Sequence, residues 1–453
     1  MSAPPTDVVD RLQRLAAGAP GAGVDPDALW TRGRRRQRVR TGGVAAALVL
    51  VGLAGATTTP LLVERVQQVE PARTDDRMVL PDVIRQPGGW EPAFPSTPGR
   101  LSAVGTGTRS GLWSDRNAFW GVSAATGESR FLDLPGALEL AQPALSHDGS
   151  RVAYWIATAA DVEALGRAGE SAMLADGVAV LDLETGERDV WTVESDHGLW
   201  IGGLAWAGDV LWWSAGPAVA REDGALTARS RTRMWDLRAS ERDDVLNAAQ
   251  RRVYANGVGD APGGFIERRG SQRLAVVTGG EDPVTVRLTL PAGTPSSAGT
   301  ADSTVSTDGS LVAMLLMLDA STYDGSPKAV LVGDLARGDV ALRRVEDVSA
   351  QAVLGWRSAD EVLVGGLDDV GEGRPRQANR VWTLDVTTGE QVALLEFSGN
   401  TPDVAADAWT AEVVPAPDAP FAPDPRLVGL GLLAGSFVAW RLVVRVRRRR
   451  GDA

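Results

Sequence analysis

The chain has 453 residues, 44% of them hydrophobic, which is apolar material for one large or two ordinary domains and excludes a wholly disordered chain. The net charge of −12 is unevenly spread: 8 Arg and 4 Asp give residues 1–41 a charge of +4, 6 Arg and 1 Asp give 441–453 a charge of +5, and the body between them carries −21. An acidic body repels phosphate, so nucleic acid is not expected as a partner of the main domain, and the absence of cysteine excludes disulfides, iron–sulfur clusters, thiol catalysis and Cys-based zinc sites.

Residues 1–41 are polar and punctuated by Pro and Gly, with two short helical patterns. Val8, Leu12, Leu15 and Ala16 fall at helical spacing over 7–17. Asp25 followed by Pro26 suits the start of a second helix, because proline's fixed φ and missing N–H are harmless in a first turn. Arg32, Arg34, Arg35, Arg36, Arg38 and Arg40 then put six arginines within nine residues. Such a cluster suits either nucleic acid or the cytoplasmic flank of a membrane span, and the next segment favours the membrane. Residues 42–63 carry no charge over twenty-two positions. At about 1.5 Å per residue that is enough to cross a hydrocarbon core of roughly 30 Å. A cleaved signal peptide is the rival, with Ala54-Gly55-Ala56 as a small-residue cleavage site. Forty polar residues ahead of it are too many for an ordinary leader, which favours an uncleaved anchor.

Residues 64–100 read as an extracytoplasmic linker with a short strand near 78–84, and 415–426 as a second, proline-rich linker stiffened into extended segments. A second span is expected over 427–444, apolar but for Arg441, whose long side chain can snorkel to the headgroups. A basic tail, 445–453, follows with Arg445, Arg447, Arg448, Arg449 and Arg450. Arg34, Arg35 and Arg36 and the 447–450 arginines therefore flank the two spans on the side away from the acidic body. The positive-inside rule then places both termini in the cytoplasm and residues 64–426 outside the cell membrane. Gly52 with Ala56, and Gly431 with Gly435, set small residues four apart in each span, a spacing that permits close packing and is also common in any Gly/Ala-rich span.

Between 101 and 414 three kinds of segment recur. The first is a tight turn into a strand, ALSHDGSRVAYW at 144–155 and VSTDGSLVAMLL at 305–316. Ser146, Asp148 and Gly149, and Ser306, Asp308 and Gly309, supply a side-chain acceptor and a residue free to adopt positive φ, as such a turn requires. The second is a hairpin around T-G-E, at 178–191, 380–395 and 119–132, with Gly186, Gly389 and Gly127 where a left-handed residue is needed. The third is a strand start with matched Trp, LAWAGDVL at 204–211 and LGWRSADEVL at 354–363. Laid in order they give units of 101–135, 143–194, 199–246, 256–291, 303–346 and 349–397, each with three or four short strands. That is the content of a propeller blade, so the fold class is all-β: a six-bladed β-propeller ectodomain flanked by two single transmembrane helices. A seventh blade, built from 405–414 and the strand near residue 80, is the alternative.

These motifs resemble the TolB-type, WD40-like β-propeller family, whose blade signature S-P-D-G-x-x-[IVL]-A-[FY] is matched by Ser146, Asp148, Gly149, Val152, Ala153 and Tyr154, with His147 in place of proline. With its flanking spans the chain also looks like membrane propeller proteins of high-G+C Gram-positive bacteria, in keeping with Lys328 as its only lysine. Some relatives of this propeller type precede an α/β-hydrolase domain, and after residue 414 this chain has only linker and span.

Local signatures of catalysis are weak, and no catalytic, cofactor or metal residues are expected. His147 and His197 are the two histidines, each in a simple strand-start context. In Gly107-Thr108-Arg109-Ser110-Gly111 the serine is misplaced for a nucleophile elbow. No helical pattern follows Gly105-Thr106-Gly107 to support a phosphate site. Asp368, Asp369 and Glu372 lack the ligand alternation of a calcium loop. Of fifteen tryptophans, Trp206 and Trp356, and Trp191 and Trp382, occupy matching places and so should pack between blades. Trp200, Trp212 and Trp213 are irregular and could form either core or an exposed stacking cluster. The expectation is a non-enzymatic, membrane-anchored extracytoplasmic module that binds a protein or cell-envelope ligand on a propeller face. Two alternatives stand beside it: an anti-sigma-like regulator whose residues 1–40 hold a cytoplasmic protein, and a surface glycan hydrolase with acids from separate blades.

Overall fold

The structure, a computed structural model, describes residues 77–157, 174–220, 226–228, 230–244, 258–261, 263–268, 273–278, 284–317, 328–335, 338–366, 380–399, 401–420 and 424–451. The 1–41 segment, the span expected at 42–63 and the run Asp368, Asp369, Glu372 lie outside them.

Six sheets form in sequence order, each built on the antiparallel strands of one repeat unit, and four of them take a further short strand from outside that unit. Blade 2 runs from Ala144–Leu145 through Arg151–Ile156 and Gly177–Asp182 to Arg188–Thr192. Blade 3 starts at Leu199–Ala207, blade 4 at Val258–Ala261, blade 5 at Gly299–Val305 and blade 6 at Ala352–Trp356. Blade 1 is assembled from both ends of the domain. Its first strand, Asp403–Val404, comes last in sequence and pairs antiparallel with Leu101–Arg109, followed by Arg116–Ser123 and Ser129–Leu132. Completing the first sheet with the last strand of the domain closes the ring of blades.

A seventh blade is not formed. Val79–Pro81 and Glu412–Val414, the segments it would use, pair parallel as a separate two-stranded ribbon. Val83–Arg85 adds parallel to the outer strand of blade 6, Gln391–Ser398, and Asp339–Ala341 adds parallel to the outer strand of blade 4. The segment ahead of blade 1 is thus sewn into the sheets at two points.

The turn chemistry explains why each blade starts where it does. Asp148 Oδ1 accepts from Ser146 Oγ at 2.7 Å and from the backbone N–H of Ser150 at 3.1 Å, while Ser146 Oγ accepts from Arg151 N–H at 2.9 Å. Asp308 repeats this with Ser306 and Ser310, and these donors hold its carboxyl at about 2, with the Ser306 hydroxyl contributing most. Gly149 and Gly309 sit at φ 71° and 77°. In the T-G-E hairpins Gly186 and Gly389 lie at φ 75° and 77°, and the residue that opens each turn is an aspartate. Asp182 accepts from the backbones of Glu184 and Thr185, and Asp385 from those of Thr387 and Thr388. Ser123 serves in the same place in blade 1.

Tryptophans fill the spaces between blades. Trp206 and Trp356 are each 3% exposed, and the Trp206 indole N–H donates to the Ala144 carbonyl of the neighbouring inner strand at 3.0 Å. Trp212 and Trp213, one reading of which made them part of an exposed cluster, are core. They are consecutive on one strand and so point to opposite faces. Trp213 meets Trp155 and Trp191 of blade 2 edge-on at 5.7 and 5.1 Å, with the Arg233 guanidinium 4.7 Å from its ring centre. Trp212 meets Phe265 of blade 4 at 6.2 Å. A strand in the middle of a ring of blades has no solvent face, so adjacent large apolar residues are both buried. Trp200 alone of the three is exposed, at 43%.

A helix of 27 residues, Pro425–Gly451, ends the described chain. Proline takes its first position and Asp424 Oδ1 accepts from the Arg426 N–H, satisfying one of the free donors of the first turn. Leu427, Leu430, Leu433, Phe437, Val438, Trp440 and Leu442 are all exposed on it. Among the described residues no helix is long and apolar enough to cross a membrane.

Candidate functional site

The inner strands of the blades surround an axial cavity of about 600 Å3. Its wall includes Ala144 and Leu145 of blade 2, Ile201 to Ala205 of blade 3, Asp302 and Ser303 of blade 5, Ala352 to Leu354 of blade 6, and Asp403 and Val404 of blade 1. Three of these strands are irregular at the cavity: the pairing register shifts between Ile201 and Leu204, between Ala301 and Ser303, and between Val353 and Gly355. A bulge of this kind turns a side chain out of the ladder and towards the axis. Asp302 occupies one, with a φ of 31° that an L residue adopts only at a cost.

Leu140, Gln142, Thr401 and Pro402 line the cavity from the segments that lead into the inner strands, and Leu140 is 64% exposed there. His147, from a turn, and Trp409, from the short 3-10 helix Ala406–Thr410, also line it. His147 sits in the first S-x-D-G turn, and its carbonyl accepts from Asp407 N–H at 3.0 Å. Burial pulls the imidazole below its usual value, partly offset by the Asp407 and Asp148 carboxylates. Asp407 itself is raised, by burial first and then by the neighbouring Asp148.

Asp403 is the most perturbed group on the wall. Its Oδ2 accepts from the Leu145 N–H at 2.7 Å, tying the inner strands of blades 1 and 2 together. Burial pushes its carboxyl up to about 6, the one hydrogen bond being too little to offset the loss of water. The side chain is half-buried, and the surface it keeps belongs to the cavity wall. Asp302 and Asp403 come from different blades, and among the described residues no Lys or Arg lines the cavity. Chemically the site is a wall of mixed polar and apolar surface with two carboxylates and a neutral-leaning imidazole, suited to hydrogen-bond donors and positive charge.

Of the residues singled out by number in the sequence, His147 and Trp206 reach this wall, and the quoted repeat segments add Ala144, Leu145, Trp155, Leu204, Ala205 and Leu354. Ser146, Asp148, Gly149, Ser306, Asp308, Gly309, Gly186 and Gly389 build turns. Arg34, Arg35 and Arg36 lie outside the described residues, and 447–450 fall in the C-terminal helix. The Gly105-Thr106-Gly107 patch is sheet: a Cβ on Gly105 would lie 2.8 Å from the Trp120 ring, whose N–H donates to the Thr106 carbonyl. Asp302 and Asp403 went unnoticed, since a two-residue strand in TPDVAAD gives no periodic signal. Among the described residues no group of three or more His, Asp or Glu is placed to hold a metal ion.

The class defined by this architecture is a closed six-bladed β-propeller with an acidic axial cavity. No protein-family description matches the chain, and no curated protein does. Solved structures similar to it include an oligogalacturonate lyase in complex with manganese, at 11% identity and a TM-score of 0.40 over 69% of this chain and 77% of that one. Another oligogalacturonate lyase, from Vibrio parahaemolyticus, is 12% identical with a TM-score of 0.39 over 70% and 79%. A protein assigned as TolB from Agrobacterium tumefaciens is 15% identical with a TM-score of 0.31 over 57% and 85%.

Proposed function

We propose that the protein is a membrane-anchored extracytoplasmic binding module whose axial cavity takes a ligand with a cationic or hydrogen-bond-donating head and an apolar remainder. The observation that carries this reading is the cavity itself: about 600 Å3, with Asp302 and Asp403 on its wall and, among the described residues, no Lys or Arg. An amine entering it would favour the ionised form of Asp403 and release a proton where that carboxyl is otherwise neutral. Calorimetry of the intact protein with hexylamine and with 1-hexanol tests the charge requirement. Hexylamine should bind more tightly at pH 7.5 than at pH 5, and Asp403→Asn should weaken it. Equal binding of the alcohol would remove the charge requirement and leave hydrogen-bond donation as the selective feature, and no effect of the substitution on either ligand counts against the reading.

The membrane part rests on sequence and exposure. Residues 427–444 are apolar apart from Arg441 once every position is read, including Val428, Leu432 and Val443, and Leu427, Leu430, Leu433, Phe437, Val438, Trp440 and Leu442 along this helix are exposed. A helix of 27 residues is about 40 Å long, more than the hydrocarbon core requires. With the uncharged 42–63 stretch, both termini fall in the cytoplasm. Reporter fusions at the two ends should both score cytoplasmic; an external N-terminus would overturn this topology.

A second reading has one observation in its favour. Carboxylates from two blades share the cavity, as a glycan-cleaving site requires, and a raised carboxyl such as that of Asp403 is the form a general acid takes. Release of reducing ends from cell-envelope glycan that disappears in Asp403→Asn would favour catalysis over binding alone.

A further inference from the structure

The hairpin joining Leu101–Arg109 to Arg116–Ser123 in blade 1 ends in Ser110, Gly111, Leu112, Trp113, Ser114 and Asp115. Leu112 is 61% exposed and Trp113 96%. A fully exposed indole is costly in water, since Trp offers a large apolar area and normally finds cover for it. The tip is nevertheless held in place. Ser110 N–H donates to the Gly89 carbonyl at 2.8 Å, and Gly89 approaches so closely that a Cβ on it would lie 2.4 Å from Ser110 Oγ. From the other side Arg426 donates to the Gly111 carbonyl and to Asp115 Oδ1, the latter at 3.2 Å, while its guanidinium stands 5.3 Å from the ring centre of Trp90.

Arg426 is the residue immediately before Leu427, where the apolar stretch begins. One Cα step is about 3.8 Å, so the side chain that grips the hairpin belongs to the first turn of the helix that would enter the bilayer. We infer that the 110–115 hairpin tip is a second membrane contact, with Trp113 and Leu112 seated in the lipid headgroup interface beside the point where the chain enters the membrane. The occupant is the bilayer that the chain's own continuation implies. If Leu427 lies at the hydrocarbon boundary, a tip bonded to Arg426 is carried to the interfacial layer, which is only about 5–7 Å deep on each side. Trp is the residue most at home there, its ring in the headgroup zone and its N–H towards water. Arg426 is well suited to the same layer, with its charge at the headgroups and its neighbour Leu427 in the apolar phase. The consequence is a second point of attachment to the bilayer, at the hairpin tip, beside the one at residue 427.

This inference rests on the membrane-anchored reading, and the test separates the two. The chain has no cysteine, so a single introduced thiol labels one position only. Full-length protein carrying Trp113→Cys, Leu112→Cys, Leu430→Cys or Val284→Cys is labelled with an environment-sensitive dye and reconstituted in vesicles containing lipids with a quencher at shallow or deep acyl positions. Val284, 64% exposed on blade 4, reports a solvent site. The expected result is severalfold stronger quenching at 112 and 113 than at 284, stronger from shallow than from deep quenchers, with 430 quenched most by the deep ones. Quenching at 430 with 112 and 113 as open to aqueous iodide as 284 would overturn the hairpin contact and leave the anchor standing. Protection of 113 from iodide without lipid quenching would assign the tip to a protein partner and overturn the inference as well. No quenching at 430 would remove the anchor and this contact together.

Discussion

Asp403→Asn is the substitution with the clearest energetic signature. The carboxylate joins two inner strands through one hydrogen bond and is half-buried in the cavity wall, and desolvation raises its folded value from 3.8 to about 6. That difference corresponds to about 3 kcal/mol. The sign follows from which state binds the proton more tightly. The folded protein does, so below about pH 4 both states are protonated and burial of the ion costs nothing; as the pH climbs towards 6 and beyond, the wild-type chain loses stability relative to a neutral side chain. Asparagine keeps a carbonyl oxygen for the Leu145 N–H and never ionises. The variant should therefore match the wild type near pH 4 and exceed it by up to about 3 kcal/mol at pH 7.5. For a domain of some three hundred residues this amounts to a Tm difference of ~4–5 °C. Thermal unfolding of both proteins at half-unit intervals from pH 4 to 8 measures it. Parallel Tm curves would refute the burial argument, and a variant less stable at every pH would mean that the charge is compensated in the folded state.

The turn clasp makes a different prediction. Ser146→Ala removes both the donor to Asp148 and the acceptor for Arg151 N–H, and should cost about 1–3 kcal/mol at a site only 4% exposed; a Tm unchanged within a degree would show that the clasp contributes nothing. Gly105→Ala drives a methyl group against the Trp120 ring at 2.8 Å, and urea unfolding should report a loss of about 1–3 kcal/mol with an unchanged m-value. In Trp120→Leu the same glycine substitution should be tolerated, and equal losses in both backgrounds would exclude the ring as the cause.

Blades were legible in the sequence because their turns are local devices. Ser146-x-Asp148-Gly149 and Thr185-Gly186-Glu187 each satisfy their own backbone within a few residues, so the pattern survives reading along the chain. The cavity was not legible, because its wall is made by residues that belong to different blades and by irregularities in register. Nothing in the neighbourhood of Asp302 announces a bulge, and Asp403 lies 258 residues from the N–H it accepts. Trp212 and Trp213 mark the same limit from the other side. A pair of adjacent tryptophans breaks strand alternation, and only the presence of a blade on each side makes both faces interior. Blade number likewise depended on a pairing that no periodicity reports, the union of Asp403–Val404 with the first sheet.

The ribbon of Val79–Pro81 and Glu412–Val414 bears on force. Its strands are parallel, so the chain arrives at one end of the ribbon and departs from the other. Tension applied between the two flanking segments would slide one strand along its neighbour and strain the evenly spaced ladder bonds together, where an antiparallel pair loaded in the same way would open one bond at a time. The ring is therefore fastened in its stronger direction with respect to its own two tethers. Single-molecule pulling from residues 77 and 416 should need more force than pulling across a blade hairpin, and Leu80→Pro, which deletes a donor from the ribbon, should abolish the difference.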